Sequence, residues 1–244
     1  MVSDINNVDA LIICGGLGTR LKSVLNDRPK ILAEINGRPF ISYLIDYLET
    51  QGISRIILCT GHGHEEIEEW VTRNYTGGVV IEFSREISPL GTGGAVKNAE
   101  HLIRGDDFLV LNGDTFFELD YNAFVRDYFS KNAVALLATS QSDQTSEYGT
   151  IYTDQNDRII FYGEKIKGEE KRGLISGGVY MFNKKILRQL PSNTPVSLEY
   201  DSIPNHILPM YDKAVYGHLS QGYFLDIGTP KNYHKSIRDF KKRL

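Results

Sequence analysis

A chain that runs Ala10-Leu11-Ile12-Ile13-Cys14 and then breaks into Gly15-Gly16-Leu17-Gly18-Thr19-Arg20-Leu21 has few folds open to it. The apolar, branched run reads as a strand buried on both faces, the situation of a strand in a helix-covered parallel sheet. Three glycines in four residues then let the backbone take positive φ and approach a ligand closely. Consecutive free N–H groups in such a turn form a concavity for anions. Arg20, and Lys30 behind Pro29, put full positive charge at its rim. The combination reads as a polyphosphate cradle on a strand-to-helix turn.

The remainder of the first half repeats the alternation. Pro39–Gln51, His64–Asn74 and Gly93–Ile103 read as helices, and Ile53–Thr60, Val79–Ser84 and Phe108–Leu111 as strands. Strand–helix alternation predicts parallel strands joined by right-handed crossovers, with ligands at the carboxyl ends of the strands. After Asp114 the rhythm changes. Tyr121–Ser130 reads as a helix and Val134–Thr139 as a strand; Gly149–Tyr152 and Ile159–Tyr162 flank the turn signal Asp154-Gln155-Asn156-Asp157, an antiparallel hairpin. Leu174–Phe182 is a further strand, Pro191–Pro195 a loop, and Pro230–Arg243 a basic amphipathic helix. No repeat or linker divides the 244 residues. The expected architecture is α/β and Rossmann-like: a mixed, mainly parallel sheet flanked by helices, with a small antiparallel hairpin. It forms one domain over 1–244, with a first half of about 1–120 and a second half of about 121–244.

Two familiar cradles fail on residues. A Walker loop needs Gly-Lys-Ser/Thr, and the chain contains no Gly-Lys pair. A dinucleotide fingerprint needs a third glycine where Leu21 stands, and an acid near Cys59-Thr60-Gly61. Composition removes other classes. A formal charge of −4 offers no basic patch for nucleic acid. No apolar run approaches a membrane span, and the polar amino terminus is not a signal peptide. Cys14 and Cys59 sit in expected strands as core residues, which fits a reducing, cytoplasmic setting. Cys59, His62 and His64 lack a second ligand pair at zinc spacing.

Three further stretches carry chemistry. Asn112-Gly113-Asp114 puts a carboxylate directly after a buried strand, and Asp226 in Leu225-Asp226-Ile227-Gly228-Thr229-Pro230 is its candidate partner. A hard cation such as Mg2+ borrows one or two carboxylates and completes its shell with substrate phosphates; each aspartate alone also reads as an ordinary turn or cap residue. Gly91-Thr92-Gly93 opens a helix, where it hosts a phosphate, lies flat against a base, or serves close packing. Tyr148-Gly149, Glu164-Lys165 and Ser176-Gly177-Gly178 cluster in the second half, where an isolated Glu-Lys is otherwise a solvated face.

Gly-Gly-x-Gly-Thr-Arg-Leu followed by Arg28-Pro29-Lys30, with the later motifs in order, resembles the sugar-1-phosphate nucleotidyltransferases over nearly the whole chain. The resemblance implies the nucleotide-diphospho-sugar transferase fold and an enzyme that joins a nucleoside triphosphate to a sugar 1-phosphate. It implies Gly15, Gly16, Gly18 and Thr19 on the nucleotide phosphates, and Gly91, Thr92 and Gly93 beside the base. Arg20, Lys30 and Asp114 become catalytic, with Mg2+ on Asp114 and Asp226. Tyr148, Gly149, Glu164, Lys165, Gly177 and Gly178 line the sugar pocket, with Ser176 where the family more often has asparagine. Ile35–Phe40, Asn112–Phe117 and Ser197-Leu198-Glu199 look closest to the heptose branch, implying GTP and a heptose 1-phosphate destined for surface polysaccharide. Mannose, glucose and N-acetylmuramate relatives share most of these residues. Lys241-Lys242-Arg243 on the last helix is either a homo-oligomer surface or a solvent contact.

Overall fold

Asp9–Ile13 form strand β1, and its alternating side chains feed two separate cores, Ala10 and Ile12 on one face and Leu11 on the other. The computed structural model describes residues 4–16, 18, 21, 25, 28–141, 150–163 and 173–243. Thr19, Arg20, Tyr148, Gly149, Glu164 and Lys165 lie outside the described residues.

Lys30 opens a short 3-10 turn, Lys30–Leu32, whose Ile31 and Leu32 are buried. The two-residue strands β2 (Glu34–Ile35) and β3 (Arg38–Pro39) pair antiparallel and lead into helix α1 (Phe40–Thr50). Phe40, Ile41, Leu44, Ile45 and Leu48 bury one side of α1. Gly52, at φ +95°, ends it, and Ile53 N–H donates back to the Leu48 carbonyl at 3.0 Å. Strand β4 (Arg55–Thr60), helix α2 (His64–Asn74), strand β5 (Val80–Arg85) and helix α3 (Gly91–Asn98) follow, then β6 (Asp107–Asn112) and the short β7 (Thr115–Phe117). The second half comprises α4 (Tyr121–Ser130), β8 (Ala135–Gln141), β9 (Thr150–Thr153), β10 (Ile159–Gly163) and β11 (Leu174–Asn183). A π-helical segment Leu198–Ile207, strands β12 (Val215–Leu219) and β13 (Phe224–Asp226), and helix α5 (Pro230–Arg243) complete it.

The main sheet runs β10-β9-β11-β6-β1-β4-β5, and β8 joins β11 to β12. Strands β6, β1, β4 and β5 are mutually parallel, with Leu11 beside Ile57 on one side and Val110 on the other. Strand β11 reverses direction against β6 and carries the second half onto the same sheet. The central strands are near-continuous apolar runs because helices cover both faces. Strands β9 and β10 form the expected hairpin around residues 154–157.

Two placements differ from the sequence reading. The helix expected at Gly93–Ile103 starts at Gly91 and ends at Asn98, with a 3-10 turn Ala99–His101 after it. Its start is set by the Val196 carbonyl, which accepts from Gly93 N–H at 2.9 Å and Gly94 N–H at 3.3 Å. Helix α5 returns to the first half: Phe240 is buried against Phe40, Tyr43, Phe116 and Tyr223. Its apolar side is therefore occupied within the chain. Among the described residues no helix is long and apolar enough to cross a membrane.

Candidate active site

The carboxyl ends of β1 and β6 and the residues that follow β5 border a cleft of about 470 Å³, a volume typical of small-ligand sites. Gly15, Gly16 and Gly18 form one wall, Gly91 and Thr92 another, and Lys30, Asn112, Gly113 and Asp114 the floor. The sequence-identified phosphate turn, base loop and first metal carboxylate thus meet in one place.

Asp114 is positioned by strand-to-strand contact. Gly113 N–H donates to the Ile13 carbonyl at 3.0 Å, so the end of β6 is held against the end of β1. A side chain at 113 would collide with that same carbonyl, which is why glycine stands there. Beyond it β7 pairs antiparallel with β13, matching Thr115 with Asp226, and Ile227 N–H donates to the Asp114 carbonyl at 2.9 Å. Asp226 is therefore brought beside Asp114 from 112 positions along the chain (226 − 114). Its Oδ1 accepts from Gly228 N–H at 2.5 Å.

Lys30 reaches across the cleft floor, and its Nζ lies 2.7 Å from Asp114 Oδ2. The two side chains are 15% and 29% exposed, so the pair is screened less than a surface bridge. The backbones of Asp114 and Asp226 meet through the β7–β13 pairing, and carboxylate oxygens are the ligand type a hard cation takes, one or two of them beside water and phosphate oxygens; the Lys30 ammonium occupies Asp114 Oδ2. No ligand cage of three or more metal-binding side chains occurs among the described residues, and Mg2+ on a phosphorylated substrate does not need one.

Gly91 and Thr92 border the cleft, but their polar groups are largely spent inside the protein. Gly91 has φ +71° and lies against the Val196 backbone. Thr92 Oγ1 donates to Glu199 Oε2 at 2.8 Å and accepts from Leu198 N–H at 2.7 Å. With Gly93 and Gly94 N–H both given to Val196, a phosphate at the start of α3 would have to displace an internal cap. Of the readings open from sequence, flat packing against a base suits this wall better than phosphate binding.

Gly177 and Gly178 stand behind the floor, not in it. A side chain at 177 would enter the Phe117 ring, and Gly178, at φ +67°, lies against the Asn112 amide. Packing alone accounts for both. Ser176 Oγ bonds the Tyr180 hydroxyl at 3.0 Å and accepts from Gly178 N–H at 3.3 Å.

Two further acids hold this region together, Glu86, which the sequence did not single out, and Glu199, which it marked only within a branch-like tripeptide. Glu86 lines the cleft directly after β5, with Oε2 accepting from Leu90 N–H at 3.1 Å. Its Oε1 fills the room left by two glycines: an added Cβ at Gly15 would lie 2.5 Å from that oxygen, and one at Gly61 closer still. Burial pushes the Glu86 carboxyl upward from its ordinary value, and the Leu90 bond offsets part of this. No basic side chain among the described residues pairs with it. The other acid, Glu199, bridges Thr92 and Asn112. Both cysteines are buried and free; burial, with Glu86 nearby, pushes the Cys59 thiol up to about 12.

This fold and cleft are those of an enzyme that handles nucleotides, and the nucleotidyl transferase family model matches residues 9–243; the chain belongs to that family. The D-glycero-alpha-D-manno-heptose 1-phosphate guanylyltransferase of Aneurinibacillus thermoaerophilus is 38% identical over 96% of this chain and 99% of its own. The protein of the same description from Campylobacter jejuni is 36% identical over 93% and 97%. The structure of HddC from Yersinia pseudotuberculosis complexed with GMP-PN superposes with a TM-score of 0.82 at 35% identity, covering 96% of this chain and 99% of that one.

Proposed function

We propose that the protein is a Mg2+-dependent guanylyltransferase that joins GTP to a sugar 1-phosphate, a heptose 1-phosphate in the first instance, releasing pyrophosphate and a guanosine-diphosphate sugar. The observation that carries the guanine assignment is Glu86. A half-buried carboxylate that pairs with no cation among the described residues calls for N–H donors. Guanine is the common base that presents two adjacent donors, N1–H and the N2 amino group, on one edge, and a carboxylate accepts both. Uracil and thymine set N3–H between two carbonyls, which repel an acid. Adenine and cytosine place an amino group beside a bare ring nitrogen. The heptose assignment is supported by the likeness to the two guanylyltransferases, which extends over nearly the full length of each chain.

In the proposed reaction a phosphate oxygen of the sugar 1-phosphate attacks the α-phosphorus of GTP in line. The bond from that phosphorus to the bridging oxygen breaks, and pyrophosphate leaves. The nucleophile is already an anion, so no general base is needed, and the protein's work is positioning and charge stabilisation. Lys30 is assigned to bridge charge between the two substrates, with Asp114 orienting its ammonium. Arg20 is assigned to the departing pyrophosphate, with Gly15, Gly16, Gly18 and Thr19 on the GTP phosphates. Lys165 is assigned to the sugar phosphate, with Tyr148, Gly149 and Glu164 shaping the sugar side. Asp114 and Asp226 would hold Mg2+, whose bound charge neutralises the α-phosphate.

Pyrophosphate release across the four common triphosphates and a panel of heptose, mannose and glucose 1-phosphates tests the reading. GTP with the heptose form should be the best pair. Glu86→Gln should lower kcat/KM for GTP by about 10- to 100-fold, the range of one good bidentate base contact, while leaving the poor use of UTP nearly unchanged. Preference for another triphosphate, or an unaltered GTP preference in Glu86→Gln, would overturn the guanine assignment. Faster release with mannose or glucose 1-phosphate would replace the heptose.

A further inference from the structure

The four residues from Val196 to Glu199 are strapped to the wall of the cleft. Val196 N–H donates to the Leu90 carbonyl at 2.8 Å, and its carbonyl accepts from Gly93 and Gly94. Leu198 N–H donates to Thr92 Oγ1, which hands its own hydrogen to Glu199 Oε2. The other oxygen, Glu199 Oε1, accepts from Asn112 Nδ2 at 3.0 Å and from the Tyr180 hydroxyl at 3.2 Å. Ser197 Oγ adds a long contact to Oε2 at 3.4 Å. One carboxylate therefore joins the loop that opens α3, the end of β6 two residues before Asp114, and strand β11.

We propose that Glu199 is a positioning residue: it fixes Thr92 and Asn112 against each other and so holds the nucleotide wall at a set distance from the strand that carries Asp114. The proposal rests on the reading of this cleft as the nucleotide site. The chemistry demands a carboxylate and not merely a polar side chain. Four donors converge on the group, from Thr92, Ser197, Asn112 and Tyr180, and an ionised carboxylate offers about four lone-pair sites and no hydrogen. Glutamine would bring an NH2 group against at least one of these donors. Thr92 cannot turn its hydroxyl around to accommodate it freely, because Leu198 N–H already points at that oxygen. No basic side chain among the described residues neutralises Glu199, so the converging donors themselves stabilise its charge. The Asn112 amide is oriented by the same bond, since the nitrogen must face the carboxylate.

The test uses direct nucleotide binding by calorimetry, with whichever triphosphate the wild-type protein binds most tightly, together with steady-state KM and kcat for both substrates and a thermal melt. Glu199→Gln, nearly isosteric, should weaken nucleotide binding roughly tenfold while still melting cooperatively. Thr92→Val should reproduce that loss and Thr92→Ser should restore binding, because only the hydroxyl is used. The Thr92→Val/Glu199→Gln double variant should be no worse than the worse single variant, as expected for two ends of one bond. Wild-type nucleotide affinity in a folded Glu199→Gln protein overturns the proposal. Losses that multiply in the double variant, or a Thr92→Ser protein as weak as Thr92→Val, also overturn it. Absence of any nucleotide binding by the wild type would instead overturn the reading of the cleft itself.

Discussion

Asp114→Asn should reduce pyrophosphate release about a thousandfold while leaving a folded protein. The substitution keeps the shape of the side chain and removes its charge, and two consequences follow at one point. In the proposed reaction the cation loses a carboxylate ligand, and Lys30 loses the negative charge that pairs with its ammonium at 2.7 Å. Single electrostatic groups in active sites are worth about a hundredfold to a thousandfold in turnover, and here the ligand and the orientation of a second charge go together. Stability should change far less, by about 1–2 kcal/mol, because the pair sits at the edge of a core that is otherwise apolar. Lys30→Met should cost at least a hundredfold in turnover. The double variant should be much better than the product of the two losses, since the side chains act as a unit. Steady-state pyrophosphate release at saturating Mg2+, beside a thermal melt, reads both quantities. An Asp114→Asn protein that keeps a tenth of wild-type turnover would remove Asp114 from the reaction.

The features of this site that could be read from sequence are those written locally. The run Ala10–Cys14 into Gly15, Gly16 and Gly18 is contiguous, so the strand, the turn and the wall of the cleft were visible together. The helices expected at His64–Asn74, Tyr121–Ser130 and Pro230–Arg243 form over those residues, because each carries a helical apolar period between recognisable stops. Strand β13 was hidden because three residues, Phe224–Asp226, are too few for an alternation to show, and only pairing with β7 makes them a strand. The segment Leu198–Ile207 was hidden for a different reason. Pro204 interrupts its pattern, and its wide turn has no signature in composition. Glu86 is a single acid in unremarkable surroundings, and Glu199 stood out only as part of the tripeptide 197–199 with no role attached. What makes Glu86 distinctive is the empty space at Gly15 and Gly61, 71 and 25 positions upstream (86 − 15 and 86 − 61). What makes Glu199 distinctive is its set of donors from Thr92, Asn112 and Tyr180. Both are properties of chain segments that meet only after folding. The glycine pair at 177 and 178 shows the converse. Its sequence suggested ligand contact, and its location against Phe117 and Asn112 gives it a packing reason that is sufficient alone.

Gly113→Ala should damage the fold and the site together, and the coupling between the two effects is the informative part. The added methyl would point into the Ile13 carbonyl, the group that accepts the Gly113 N–H at 3.0 Å, and toward Ile31 Cδ1 at 3.0 Å. A flexible side chain can swing away from such a contact; the backbone of a central strand cannot. The ends of β1 and β6 must therefore separate by a few tenths of an ångström or more. Overpacking of this kind costs about 1–3 kcal/mol, which for a chain of this size lowers Tm by roughly 3–10 °C. Asp114 follows directly, so the same displacement moves the carboxylate away from Lys30 and from Asp226, and misplacement on the order of 1 Å costs about a hundredfold in rate. Gly16→Ala is the matched comparison. It lies on the same cleft wall but has nothing within 4 Å of the position an added Cβ would take. Its melting temperature should be close to wild type. A Gly113→Ala protein with wild-type Tm and turnover would mean that β1 and β6 are not held at this distance. Loss of turnover with an unchanged Tm would mean that the strand ends yield readily, and that the geometry of Asp114 is the more demanding of the two constraints.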